Sequence, residues 1–266
     1  IQVAMLNVME ERDIQVRGYT LRLPLDVLVV ASANPEDYTN RGRIITPLKD
    51  RFGAEIRTHY PRELDAEVGV ICQEAHFTAE VPIYLVQIIA RFTRLLRESQ
   101  SVDQRSGVSA RFAIAAAETV AASARHRGAI LGEDRPVARV VDLGTIVDVL
   151  RGKLEFESGE EGRELAVLEH LLRRATADTA QRCLGGIDVG PLVTAVENSE
   201  VTTGQQIAAK DVLAALPDLA VMDAIADRLA ARTDGERAAA LELALEALYL
   251  AKKIDKNIAD GETVYG

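Results

Sequence analysis

VVASANPEDYTNRGRIITPLKDRF, residues 29–52, decides how the rest of the chain is read. Val27, Leu28, Val29 and Val30 run on without polar alternation. That is the pattern of a strand covered on both faces, as in a parallel sheet. The run stops at Ser32-Ala33-Asn34-Pro35. In open α/β sheets ligands bind outside the carboxyl ends of the strands. Asn34 stands at such an end, and its amide both donates and accepts hydrogen bonds, so it can orient a water or a phosphate oxygen. Asn-Pro also opens ordinary turns, and on spacing alone a turn is the simpler account.

Three arginines follow, Arg41, Arg43 and Arg51. Arg51 lies between Asp50 and Phe52, just before the next expected strand in GAEIRTHYP (residues 53–61). A guanidinium at the edge of an element can reach a neighbouring subunit's phosphate, as arginine fingers do. A local ion pair with Asp50 or Glu55 is the plainer alternative. Arg41 and Arg43 flank Gly42 in an expected loop and gain no definite role.

Upstream, residues 1–12 read as an amphipathic helix, with Ile1, Met5, Val8 and Met9 on one side. DIQVRGYTLRLP (residues 13–24) reads as two short strands about Arg17-Gly18. Beginning at Ile inside such a helix, the sequence reads as the downstream part of a longer protein. Downstream of Pro61 the periodicity turns helical. Pro82 suits a helix start followed by Leu85, Ile88, Phe92 and Leu95. Ser109 can cap ARFAIAAAETVAASARHRG, a small-residue helix expected to pack closely and to end at Gly128. Arg111 in its first turn meets the unfavourable end of the helix dipole, which hints at an anionic partner. Arg91, Arg94 and Arg97 form a stripe expected to be a solvated face. The polar stretch at residues 155–164 marks a boundary, and four or five further helices follow it. Three parts result: residues 1–60, 61–150 and 151–266.

Aromatics make up only 4% and Trp is absent, so the core must be aliphatic and closely packed. The chain carries a net charge of −10, and residues 151–266 hold 13 basic against 21 acidic residues. That balance argues against a nucleic-acid backbone as the main partner. Cys72 and Cys183 form no disulfide framework and suit a reducing cytoplasm. Four scattered histidines show no metal-ligand spacing, so no metal site is expected from this inventory. No run of 18 apolar residues occurs, and no signal segment opens the chain. No Gly-x4-Gly-Lys-Ser/Thr phosphate loop is present either.

The order of these features carries more than any one of them. Residues 6–56, LNVMEERDIQVRGYTLRLPLDVLVVASANPEDYTNRGRIITPLKDRFGAEI, resemble the second half of an AAA+ ATPase core of the MoxR and magnesium-chelatase ATPase-subunit group. That group has a helix ending in Met-Glu-Glu-Arg, a hairpin, a buried strand ending in Asn-Pro, and a Leu-x-Asp-Arg-Phe segment. Residues 61–150 resemble its helical lid more loosely. Residues 151–266 resemble the tails of a MoxR-like subgroup related to magnesium chelatases. The resemblance implies an α/β core fragment, parallel-sheet strands plus a hairpin, then an all-α lid and an all-α C-terminal region, helical overall.

The resemblance also implies roles. Asn34 matches the sensor-1 position that orients the attacking water. Arg51 matches the arginine finger acting on a neighbouring subunit's ATP, and Arg111 in GVSARF matches the sensor-2 arginine. ATP and Mg2+ are the implied cofactors, held mainly by Walker A and Walker B motifs that the family carries upstream. A hexameric ring, a partner with a von Willebrand factor A domain and a protein or metal-insertion client are implied as well. The alternative reading is a non-catalytic helical protein-interaction module centred on residues 151–266.

Overall fold

The computed structural model describes residues 5–22, 28–32, 46–103, 106–259 and 261–266. The chain falls into two compact units, residues 1–59 and 60–266.

In the first unit a π-helical turn, Asn7–Glu11, ends at Arg12 in the left-handed region. Strands β1 (Asp13–Val16) and β2 (Tyr19–Arg22) then pair antiparallel, with Val16 opposite Tyr19. Arg17 at φ 51° and Gly18 at φ 84° make the connection. Positive φ at both central residues matches the turn's twist to that of the strands, so the hairpin read from Arg17-Gly18 is present. A short helical turn, Thr46–Lys49, buries Leu48.

The expected parallel sheet is not seen among the described residues. Residues 28–32 and 53–61 form no ladder. Leu28, Val30 and Ile56 are 90%, 84% and 88% exposed. Strands of that kind exist only where neighbouring strands satisfy their backbone groups. The only ladder described in residues 1–59 is the hairpin, which bonds to itself. Val27, Asn34, Arg41 and Arg43 lie outside the described residues.

The second unit is helical. Its first helices are α1 (Leu64–Glu74), α2 (Ile83–Glu98) and α3 (Ala110–Leu131). Pro82 caps α2, whose Leu85, Ile88 and Phe92 are wholly buried. Ser109 occupies the N-cap of α3 without a side-chain bond. Ala113, Ala116, Ala117, Ala121 and Ala124 of α3 are fully buried, as close packing requires. This helix does not stop at Gly128. It runs to Leu131 and ends on Gly132 at φ 70°. Gly128 serves a different purpose: a Cβ there would lie 2.5 Å from Pro136 Cβ, so the bare backbone lets the following segment cross the helix.

After α4 (Gly144–Leu150) come α5 (Glu164–Leu184), α6 (Gly190–Asn198), β3 (Val201–Gly204), α7 (Ala209–Ala214), α8 (Ala220–Arg228) and α9 (Asp234–Leu250). The chain finishes in β4 (Lys256–Ala259) and β5 (Glu262–Tyr265). β5 is the centre of a three-stranded antiparallel sheet, pairing with β3 and with β4. Two apolar clusters fill the unit. One joins α1 to α5, and the other joins α6 to α9 with β3 and β5. α9 enters both, giving Ala239 and Leu243 to the first and Leu241, Leu245 and Leu248 to the second. A helix buried all round has no polar stripe to show in its sequence. No helix of the described residues is long and apolar enough to cross a membrane.

Candidate functional site

Arg51 sits two residues past the Thr46–Lys49 turn, with its N–H bonded to Leu48 O at 3.2 Å. Each of its guanidinium nitrogens has a partner within its own unit. Nε donates to Glu10 Oε2 at 2.7 Å, Nη2 donates to the same oxygen, and Nη1 donates to Pro47 O at 2.7 Å. The counter-ion is therefore Glu10 of the Met-Glu-Glu-Arg turn, not Asp50 or Glu55. Glu55 instead pairs with Arg57 at 3.0 Å. The Arg51 and Glu10 side chains are 29% and 52% exposed, so the pair is accessible from solvent.

Arg111 lies in the other unit, exposed on the first turn of α3. The loop before it is held from below by Arg97. Arg97 donates to Val108 O at 2.8 Å, pairs with Glu67 at 2.8 Å and stacks over the Tyr60 ring at 3.9 Å. Gly107, at φ 64°, leaves room for the Tyr60 hydroxyl, which a Cβ would meet at 3.0 Å. The arginine stripe is thus not a solvated face. Arg97 is 10% exposed, Arg94 donates to Arg62 O, and burial beside Arg182 pulls the Arg91 guanidinium below its usual range.

Pattern reading singled out no residue of a buried charge network that spans residues 123–246. Arg127 bonds Glu133 at 3.0 Å, Asp142 at 3.1 Å and Val137 O at 2.7 Å. Asp142 also accepts from Arg139 N, Ser123 and Gln205. Arg139 Nη2 donates to Gly204 O and Ile207 O, tying the segment before α4 to the end of β3 and the turn after it. Arg127, Arg139 and Asp142 are completely buried. Beyond them, a half-open cleft of about 390 Å³ lies between α4, α5, α9 and the C-terminal sheet. Glu242 and Glu246 stand one turn apart on its floor. Glu246 accepts from Lys256 Nζ at 2.7 Å and Tyr265 Oη at 2.6 Å. The one signal in the sequence was the pair of glutamates at i and i+4 inside the otherwise apolar ALELALEALYL.

No family model matches the chain, and no solved structure matches it. Chaperone MoxR1 of Mycobacterium tuberculosis (strain ATCC 25618 / H37Rv) does match, at 27% identity over 177 residues. The chain is similar to a MoxR chaperone. The match covers 58% of this chain and 47% of MoxR1, so the chain spans about half the length of that relative. A MoxR relationship implies ATP and Mg2+. Among the described residues no group of three or more His, Cys, Asp or Glu side chains could hold a metal ion. Arg51 and Arg111 fit a phosphate by their chemistry, since a guanidinium matches phosphate oxygens bidentately. Arg51 can offer its inner edge only by leaving Glu10.

Proposed function

We propose that this chain is the sensing and trans-acting portion of a MoxR-like AAA+ ATPase, related to magnesium-chelatase ATPase subunits, that remodels a protein or metal-insertion complex. The observation that carries the reading is the 177-residue similarity to MoxR1. In support, the MEER turn and the KDRF segment meet through the Glu10–Arg51 pair. ATP, when bound, supplies the phosphoanhydride to be cleaved. Arg51 then acts on a neighbouring subunit's nucleotide, where its charge offsets negative charge building on the transferred phosphoryl group. Asn34 orients the attacking water, and Arg111 couples the lid to the nucleotide. A cytoplasmic ring, hexameric and working with a von Willebrand factor A domain protein, completes the proposal.

Arg51→Ala in the whole protein is expected to lower hydrolysis by about 10³–10⁵-fold while nucleotide binding persists. Turnover near the wild-type rate would overturn the assignment. Rings mixed from the Arg51 variant and a Walker B variant should regain activity if the arginine works in trans. A second reading, a non-catalytic interaction module, is favoured by one observation: residues 60–266 hold both apolar clusters and the cleft within a single unit. Client binding that survives in the absence of nucleotide would support it.

A further inference from the structure

Arg91 has no part in the reading above. It stands in the middle of α2 and is partly buried, yet it makes no hydrogen bond and no ion pair among the described residues. Every other partly or fully buried arginine among those residues has found an acceptor: Arg51, Arg94, Arg97, Arg127, Arg139 and Arg237. The Nε of Arg91 is sealed from water without an acceptor. Its terminal nitrogens, Nη1 and Nη2, are not sealed, so they meet solvent and are open to a ligand. A partly buried guanidinium without an acceptor is costly and calls for one.

The surroundings say what that acceptor is. α2 packs along α5, and Gln87, one turn before Arg91, accepts from the Cys183 thiol at 3.9 Å. That contact sets Arg91 against the end of α5, where Arg182 acts on it as a like charge, and Arg94 does the same from α2. Arg228 of α8 reaches this corner too. Its Nη1 donates to Gly185 O at 3.2 Å, and burial pushes the Cys183 thiol up against the opposing charges of Arg91 and Arg228. Asp178 is the acid that answers Arg91, and the two make no ion pair. Arg182 and Arg228 lie in the last turns of α5 and α8, where a cation suits the helix dipole. Arg91, in mid-helix, has no such reason to stand beside them. Like charges held together in a partly dry place raise the free energy, and an anion between them lowers it again.

We propose that Arg91, Arg182 and Arg228 form a binding site for a phosphate dianion, free or as a small monoester. The guanidinium fork matches phosphate oxygens bidentately, and a dianion answers two cations where a carboxylate answers one. The site uses neither Arg51 nor Arg111. The test is a titration of the 266-residue chain at neutral pH and constant ionic strength, followed through its backbone amide NMR signals. Inorganic phosphate and phenyl phosphate are the two probes, and acetate is the monoanion control. Saturable shifts gathered at Arg91, Arg182, Arg228 and their helix neighbours are expected, and the tighter of the two phosphates tells free ion from ester. Arg91→Gln should weaken binding about tenfold or more, as loss of a charge-assisted hydrogen bond implies. Arg182 is exposed, so Arg182→Gln keeps the fold and provides an independent arm with the same expected loss. The inference fails if neither phosphate gives a saturable shift, or if the shifts gather at Arg51 or Arg111 instead. It also fails if acetate binds as tightly, or if either folded variant binds phosphate unchanged.

Discussion

Asp142 shows what a single residue carries in this molecule. Its carboxylate is fully buried and receives Arg127, Arg139 N–H, Ser123 and Gln205. Asp142→Ala takes away one of the two carboxylates that face buried Arg127 and leaves Glu133 as the other, so urea unfolding should show a loss of about 3–5 kcal/mol. A loss under 1 kcal/mol would mean that Arg127 finds its compensation in Glu133 alone. Little of this was legible, because all of these partners but Arg139 lie 15 to 63 positions away and pattern reading sees only neighbours. Arg51 was legible as a singular arginine, but its partner Glu10, 41 residues earlier, was not.

Glu236 makes a residue-level pH prediction. Its carboxylate accepts the N–H groups of Thr233 at 2.8 Å and Arg232 at 2.7 Å. The Thr233 bond is the main cause that holds it below the usual glutamate range. Glu80 beside it, also facing Arg135, is pushed up, first by burial and then by its bond to Glu236. A depressed carboxyl stabilises the fold above its unfolded pKa, and that contribution is lost as pH falls through the folded value. The stability gap between wild type and Glu236→Gln should therefore be open at neutral pH and close below the ordinary glutamate pKa of 4.5. A gap independent of pH in denaturant titrations would contradict this.

At the scale of elements, helices with one apolar face were readable and those fixed by tertiary contact were not. The stretch after Pro82 declared α2 through period and start signal together. α3 was misjudged at its end, since Gly128 reads as a terminator but sits in mid-helix beneath Pro136. Gly128→Ala consequently runs against the usual gain of alanine in a helix. The propensity gain of about 1 kcal/mol is outweighed by overpacking of about 1–3 kcal/mol. A lower melting temperature is the expected result, and a higher one would show that the Pro136 segment moves aside. The aliphatic run at residues 27–30 was read as a buried strand from composition. Composition reports the environment a segment suits, not whether partner strands lie within reach. Leu28 and Val30, both exposed, record that difference.

Across the whole molecule, the three-part reading met two compact units, 1–59 and 60–266. α5 packs against α2 and α9 alike, so helices on both sides of residue 150 share one unit. Residues 60–266 expressed alone should fold, with a helical spectrum and a single sharp unfolding transition. A broad, non-cooperative melt would show that residues 1–59 are needed. The period-based reading had no access to this, because a helix buried on every side, such as α9, carries no stripe to assign it to either neighbour.

That sharing by α9 has a kinetic consequence. To exchange its central amides with solvent, the molecule must open both apolar clusters at once, because Leu243 is held by one and Leu245 by the other. The backbone protons of Leu241–Leu248 should thus be the last to exchange with deuterium, at rates set by global unfolding rather than by local fraying. A pull or ligand that loosens one cluster would reach the other through a single turn of helix.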